Sequence, residues 1–190
     1  MSKIMEPHEI IARTDHHAVI DQSKRHGLIR FSRAAAHLEG NMAELGVYKG
    51  GSALVLALAV PSKPLYLYDT FEGLPSDDVG EHTHHKGDFT ARLEDVQNLL
   101  QGQNVIFRVG YFPSTAVDTS YCCVHIDGDL YTTTRDAIQF FWPRLVPGGY
   151  LIFDDWLWGH CPGVERAIRE AGLSVEESAK FQCVAQKPAL

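Results

Sequence analysis

Five short apolar runs, each running into glycine or an acid, constrain this chain more than any other feature. They are Met42–Val47, Leu65–Asp69, Val105–Val109, Cys122–Ile126 and Tyr150–Phe153. Between them lie segments with helical spacing. Leu28, Phe31, Ala35 and Leu38 fall on one helical face, and Gly40 follows as a stop signal. Ser52–Val60 is so apolar that a helix there must be buried. Thr90–Leu100 and Tyr131–Leu145 read as further helices, as does Pro162–Ala171 with proline near its first position. Pro147-Gly148-Gly149 reads as a tight turn into the fifth run, and Leu173–Glu177 with Phe181–Gln186 as a closing hairpin. Alternating strand and helix predicts an α/β fold: a mostly parallel central sheet, helices on both faces and a C-terminal antiparallel hairpin. Residues 1–27 are polar, with weak helical patterning from His8 to Ile20, and are expected to form a helical arm or lid on a domain spanning 28–190.

A chain of 190 residues suits one domain. Its net charge of -7, from 17 basic and 24 acidic residues, argues against a basic stripe for nucleic acid or an anionic membrane. No apolar run approaches the roughly 18 residues a membrane span needs. Met1–Ala12 carries no apolar leader, so a cytoplasmic protein is expected. Cys122, Cys123, Cys161 and Cys183 match no zinc spacing and read as buried thiols in a reducing compartment.

Two of the runs end on paired acids, Asp127/Asp129 and Asp154/Asp155. In an open α/β sheet, strand carboxyl ends face the ligand crevice. Carboxylates gathered there repel unless a cation or proton is shared. Mg²⁺ or another divalent cation takes such oxygen ligands. Taken singly, Asp129 could instead cap the helix starting near Tyr131, and Asp154-Asp155 could be a solvated turn.

The first run enters Glu44-Leu45-Gly46-Val47-Tyr48-Lys49-Gly50-Gly51-Ser52, a glycine turn opening a helix. It matches neither G-x-G-x-x-G nor a phosphate loop. Asp69, at the tip of the next run, is placed to accept ribose hydroxyls. NAD and S-adenosylmethionine both fit an acid and a glycine turn. An acid beside the turn, Glu44, favours the methyl donor, whose sulfonium and amino group are cationic. Residues 70–90 form a long loop carrying His82, His84 and His85, expected to contact acceptor or metal. His125, mid-strand, reads as a satisfied core histidine. Trp156, Trp158 and His160 are candidates to wall an acceptor pocket.

Six blocks in order resemble the macrocin O-methyltransferase family: the glycine turn; Tyr68-Asp69-Thr70-Phe71-Glu72-Gly73-Leu74-Pro75; His85-Lys86-Gly87-Asp88-Phe89; Gly110-Tyr111-Phe112-Pro113; Ile126-Asp127-Gly128-Asp129-Leu130-Tyr131; and Pro147-Gly148-Gly149 through Asp154-Asp155. The resemblance runs from about Leu28 to Ala171. It implies a Rossmann-like class I methyltransferase, dependent on S-adenosylmethionine and Mg²⁺, that methylates a hydroxyl of a sugar or secondary metabolite. It also implies the site. Asp127, Asp154 and Asp155 match metal ligands, and Asp129, with Asp127, matches the catalytic acids. The cofactor pocket would draw on Glu44, Gly46, Tyr48, Gly51, Ser52, Asp69, Thr70, Phe71, Asp88, Gly110, Tyr111, Phe112 and Asp127. This chain is shorter than typical members, chiefly before the core and in the 70–90 loop. Transfer to a nitrogen, catechol or oxime acceptor would use the same frame, as would a cofactor-binding module without turnover. The expected partner is a small-molecule acceptor, and the amphipathic N-terminal segment is compatible with a homodimer.

Overall fold

The computed structural model describes residues 5–75 and 84–189. Five strands run parallel, ordered β3-β2-β1-β4-β5: β1 (Asn41–Leu45), β2 (Leu65–Asp69), β3 (Val105–Val109), β4 (Tyr121–Ile126) and β5 (Leu145–Asp154). β7 (Gln182–Gln186) joins β5 antiparallel, and β6 (Glu176–Ala179) pairs antiparallel with β7. Period-two alternation splits β1, β2, β4 and β5 between two cores. Met42, Leu67, Cys123 and Ile152 point into one, beneath α1 (Pro7–Thr14), α2 (Gln22–Ala34), α3 (Gly51–Ala59) and α4 (Leu93–Leu99). Ala43, Tyr68, Val124 and Phe153 point into the other, beneath α5 (Tyr131–Arg144) and α6 (Pro162–Glu170). Every residue of α3 is buried, as its composition requires.

The chain leaves β1 outward to β2 and β3, then returns to lay β4 on the other side of β1. The connections from β1 and β4 therefore diverge. That is a topological switch point, where open sheets place their ligand crevice.

Several boundaries differ from the sequence reading. α2 starts at Gln22, well before the apolar spacing begins at Leu28, because the Asp21 carboxylate accepts the Lys24 N–H at 3.0 Å and caps the helix. The helix runs through residue 27 without a break. Arg25, only 5% exposed, ties α2 to α1: its guanidinium donates to Ile11 O and Thr14 Oγ1 and pairs with Asp15 at 2.8 Å. α4 begins at Leu93 rather than Thr90, whose hydroxyl turns back to the Gly87 carbonyl. Pro147-Gly148-Gly149 lies inside β5 rather than before it, because Gly148 and Gly149 exchange backbone hydrogen bonds with Lys187 beyond β7.

Candidate active site

At the tip of β1 the glycine turn is pinned by the neighbouring strand. Asp69 Oδ2 accepts the Val47 and Tyr48 N–H groups at 2.7 and 2.8 Å, and Oδ1 accepts the Phe71 N–H at 2.7 Å. Gly50 takes a left-handed φ of +81° and leads into α3. A Cβ on Gly51 would strike the backbone of His17 and Ala18, so the α1–α2 connection rests directly on the start of α3. A Cβ on Gly46, at φ +86°, would strike the Asp127 carbonyl. The glycine turn and the first acidic turn therefore meet backbone to backbone across the switch point.

Above this junction lies a cavity of about 460 Å³, within the range of small-molecule sites. Gly46, Tyr48, Gly51, Ser52, Asp69, Thr70, Gly110, Tyr111 and Phe112 line it, and so do Asp127, Asp129, Asp154 and Asp155. Three residues expected at the cofactor do not reach its wall. Glu44 is fully buried behind it, its Oε1 2.8 Å from His125 Nδ1. Phe71 packs into the core against Phe107. Asp88 accepts the His85 N–H at 2.8 Å within its own loop.

The four aspartates converge. Carboxylate oxygens of Asp127, Asp129 and Asp155 lie within 4.8 Å of one another. A ring nitrogen of His125 groups equally closely with Asp127 and Asp154. Burial, then the neighbouring carboxylates, hold Asp127 and Asp129 well above the usual carboxylate range. Burial and the charge of Asp154 push Asp155 up to about 6. One ammonium answers this cluster: Lys24 Nζ lies 3.1 Å from Asp154 Oδ1 and 3.8 Å from Asp155 Oδ1. Burial would lower the Lys24 ammonium, but Asp154 and Asp155 outweigh it and hold it above its ordinary value. Gln182, fully buried on β7, offers Asp154 its amide at 3.4 Å. The Cys161 thiol, raised by burial and the nearby acids, lies 3.8 Å from Asp129 Oδ1. Clustered carboxylate oxygens with, among the described residues, one monovalent counter-charge are a donor set that fits a hard divalent cation.

Aromatic residues rim the opening. Trp158 neighbours His84, His160 and Phe181 at ring separations of 5.9, 4.9 and 6.3 Å, and His84 meets Phe89 at 5.0 Å. Trp158, Phe89 and Phe181 line the cavity; Trp156 is buried in the α5–α6 core instead. His82 lies outside the described residues. Tyr48, Phe89, Asp129, Asp155 and Phe181 all hold left-handed φ between +48° and +63°, a strain non-glycine residues accept mainly at functional sites. Sequence reasoning missed Lys24, Cys161, Phe89 and Phe181. Two left a local trace: Lys24, three residues beyond the cap Asp21, and Phe89, which closes the block His85-Lys86-Gly87-Asp88-Phe89.

A mostly parallel seven-stranded sheet with a glycine turn and acidic tips at its switch point defines the class I methyltransferase fold. Residues 30–174 match the macrocin-O-methyltransferase (TylF) family, and the chain belongs to it. A Streptomyces olivaceus protein, 8-demethyl-8-(2,3-dimethoxy-alpha-L-rhamnosyl)-tetracenomycin-C 4'-O-methyltransferase, is 32% identical over 64% of this chain and 55% of its own length. The demethyldecarbamoylnovobiocin O-methyltransferase of Streptomyces niveus is 29% identical over 70% and 58%. The chain thus spans a little over half the length of these curated relatives. Among solved structures, the O-methyltransferase NovP superposes with a TM-score of 0.77 at 22% identity, covering 90% of this chain and 82% of NovP. The calicheamicin methyltransferase CalS11 gives 0.73 at 16%, covering 97% and 86%. No helix among the described residues is long and apolar enough to cross a membrane.

Proposed function

We propose that this chain is an S-adenosylmethionine-dependent, divalent-metal-assisted O-methyltransferase acting on a hydroxyl of a small molecule, a sugar or other secondary metabolite. The observation that carries the reading is the meeting of the Asp69-pinned glycine turn and the four-carboxylate cluster in one cavity. Membership of the family supports it. So do relatives whose names place the methyl group on a sugar-bearing natural product.

Gly46, Gly51 and Ser52 would hold the methionine end of the donor, Asp69 its ribose, and Tyr111 and Phe112 its adenine. The donor's sulfonium supplies an electrophilic methyl group. Asp127, Asp154 and Asp155 would hold the cation, which supplies Lewis-acid polarisation of the acceptor oxygen. Asp129, which lines the same cavity, would accept the hydroxyl proton as general base. The cap position of α5 falls on Leu130 and no side chain caps the helix, so Asp129 is not its cap; it lines the cavity instead. Trp158, Phe89 and Phe181 would pack the acceptor ring and exclude water, and alignment of the reacting atoms alone can lower the barrier by several kcal/mol.

The test is incubation with S-adenosylmethionine and a panel of rhamnosylated and other hydroxylated acceptors, with and without EDTA, read as the mass gain of one methyl group. Product formation that EDTA abolishes and Mg²⁺ or Mn²⁺ restores is expected. Cofactor binding with no product from any acceptor would make the chain a binding module, and full activity in EDTA would remove the cation.

A further inference from the structure

Gln182 stands opposite Asp154 in the β5–β7 register and is fully buried. Its amide is satisfied at both ends: Nε2 donates to Asp154 Oδ1 at 3.4 Å, and Oε1 accepts the Ser178 hydroxyl at 2.9 Å. The two ends are not interchangeable. Turned over, the amide would aim its oxygen at a carboxylate oxygen and leave Asp154 without the donor. Ser178 fixes the productive orientation, and its own place is built. The β6–β7 register shifts between Glu177 and Ala179, so Ser178 is the extra residue of a bulge, a device that re-aims a side chain. α2 makes room from the other side: a Cβ on Gly27 would strike Gln182 Oε1. Asp154 is thus held from two flanks, by Gln182 and by the Lys24 ammonium at 3.1 Å, and both contacts fall on Oδ1. Among the described residues no hydrogen bond or ion pair falls on Oδ2, so that oxygen is the one left for a cation.

We propose that Gln182 is a positioning residue for the cation site: its amide, held by Ser178, fixes the Asp154 carboxylate and leaves Oδ2 to the metal. The inference rests on the divalent-cation reading above and leaves its ligands, Asp127, Asp154 and Asp155, as they stand. A neutral amide suits the task. It orients a ligating carboxylate without adding positive charge, whereas a second ammonium beside Lys24 would oppose the incoming cation. The C-terminal hairpin thereby becomes part of the active site, although neither Gln182 nor Ser178 lines the cavity.

Mn²⁺ titrated into the whole chain, with free metal read by electron paramagnetic resonance, tests this. Gln182→Met keeps the volume and removes the donor, and should weaken Mn²⁺ binding by roughly 10–100-fold. Ser178→Ala frees the amide to turn and should weaken binding in the same direction by less. A merely structural pair would lose stability without this change in affinity, and two separate lesions would add. Here the double variant should bind Mn²⁺ no more weakly than Gln182→Met alone, because Ser178 acts only through the amide. Unchanged Mn²⁺ affinity in Gln182→Met, or a Ser178→Ala loss that persists in full in the double variant, would overturn the positioning role while leaving the divalent site standing. Absence of Mn²⁺ binding by the wild type would overturn both. If Gln182→Met fails to fold, Ser178→Ala decides the matter, and wild-type Mn²⁺ affinity in it would overturn the role.

Discussion

Replacing Lys24 with methionine removes the ammonium that faces the acid cluster while keeping a long apolar stem. At an effective dielectric constant of about 20, a unit charge 3.1 Å from Asp154 and 3.8 Å from Asp155 contributes gross attractions of about 5 and 4 kcal/mol. Desolvation of an ammonium left only 12% exposed cancels much of this. Breaking such a buried pair from one side still typically loses about 3–5 kcal/mol. One relief is open: Asp155, already pushed up to about 6, can take a proton. The expected loss in the metal-free protein is therefore about 3 kcal/mol at pH 8 and smaller at pH 5. A bound divalent cation replaces the missing charge, so saturating Mn²⁺ should shrink the deficit to below about 1 kcal/mol. Because the metal no longer competes with an ammonium, the variant should bind Mn²⁺ at least about tenfold more tightly. Urea unfolding at both pH values, in EDTA and in Mn²⁺, measures all of this. Equal stability of the two proteins in EDTA, or a deficit that Mn²⁺ leaves unchanged, would refute the assignment of Lys24 as the cluster's counter-ion.

Gly46→Ala should lose about 3 kcal/mol or more and weaken cofactor binding, since its Cβ meets the Asp127 backbone at a left-handed φ; wild-type stability would contradict the close approach. Asp129→Asn should lower kcat by roughly 10²–10⁴-fold with cofactor affinity nearly unchanged, and undiminished turnover would reassign the proton acceptor. A carboxyl raised in the folded state stabilises the fold below its ordinary value near 3.8 and loses that contribution as pH rises through about 6. For Asp155 the loss is about 3 kcal/mol and falls mostly between about pH 4 and 6, so in EDTA the stability curve of Asp155→Asn should fall less steeply than wild type between about pH 4 and 7; parallel curves would count against it.

The legible parts of the molecule were those with local causes. Each parallel strand was marked by a short apolar run, and Asp69, Asp127 and Asp154 by their place just past one. Ser52–Val60 could only be an interior helix. Features that depend on partners distant in sequence were not legible. The pairing of Glu44 with His125 needs the β1–β4 register, which no single strand encodes. Lys24 enters the site from a helix whose start is marked by one cap residue and not by apolar periodicity. β5 absorbs Pro147-Gly148-Gly149 because Lys187 pairs with it, and glycines usually signal a turn when read alone. The left-handed backbone at Asp129 and Asp155 is equally silent, since aspartate is common in ordinary conformations as well.

The backbone contact between Gly46 and Asp127 makes the donor turn and the acidic turn one rigid joint. The aromatic rim is carried differently: Phe89, Trp158 and Phe181 ride on three separate connections that share no strand. On the proposed reading, altering the acceptor range of this scaffold is thus a matter of exchanging peripheral segments, while any attempt to move the proposed donor and cation sites relative to one another must first break the hinge-less weld at the centre of the sheet.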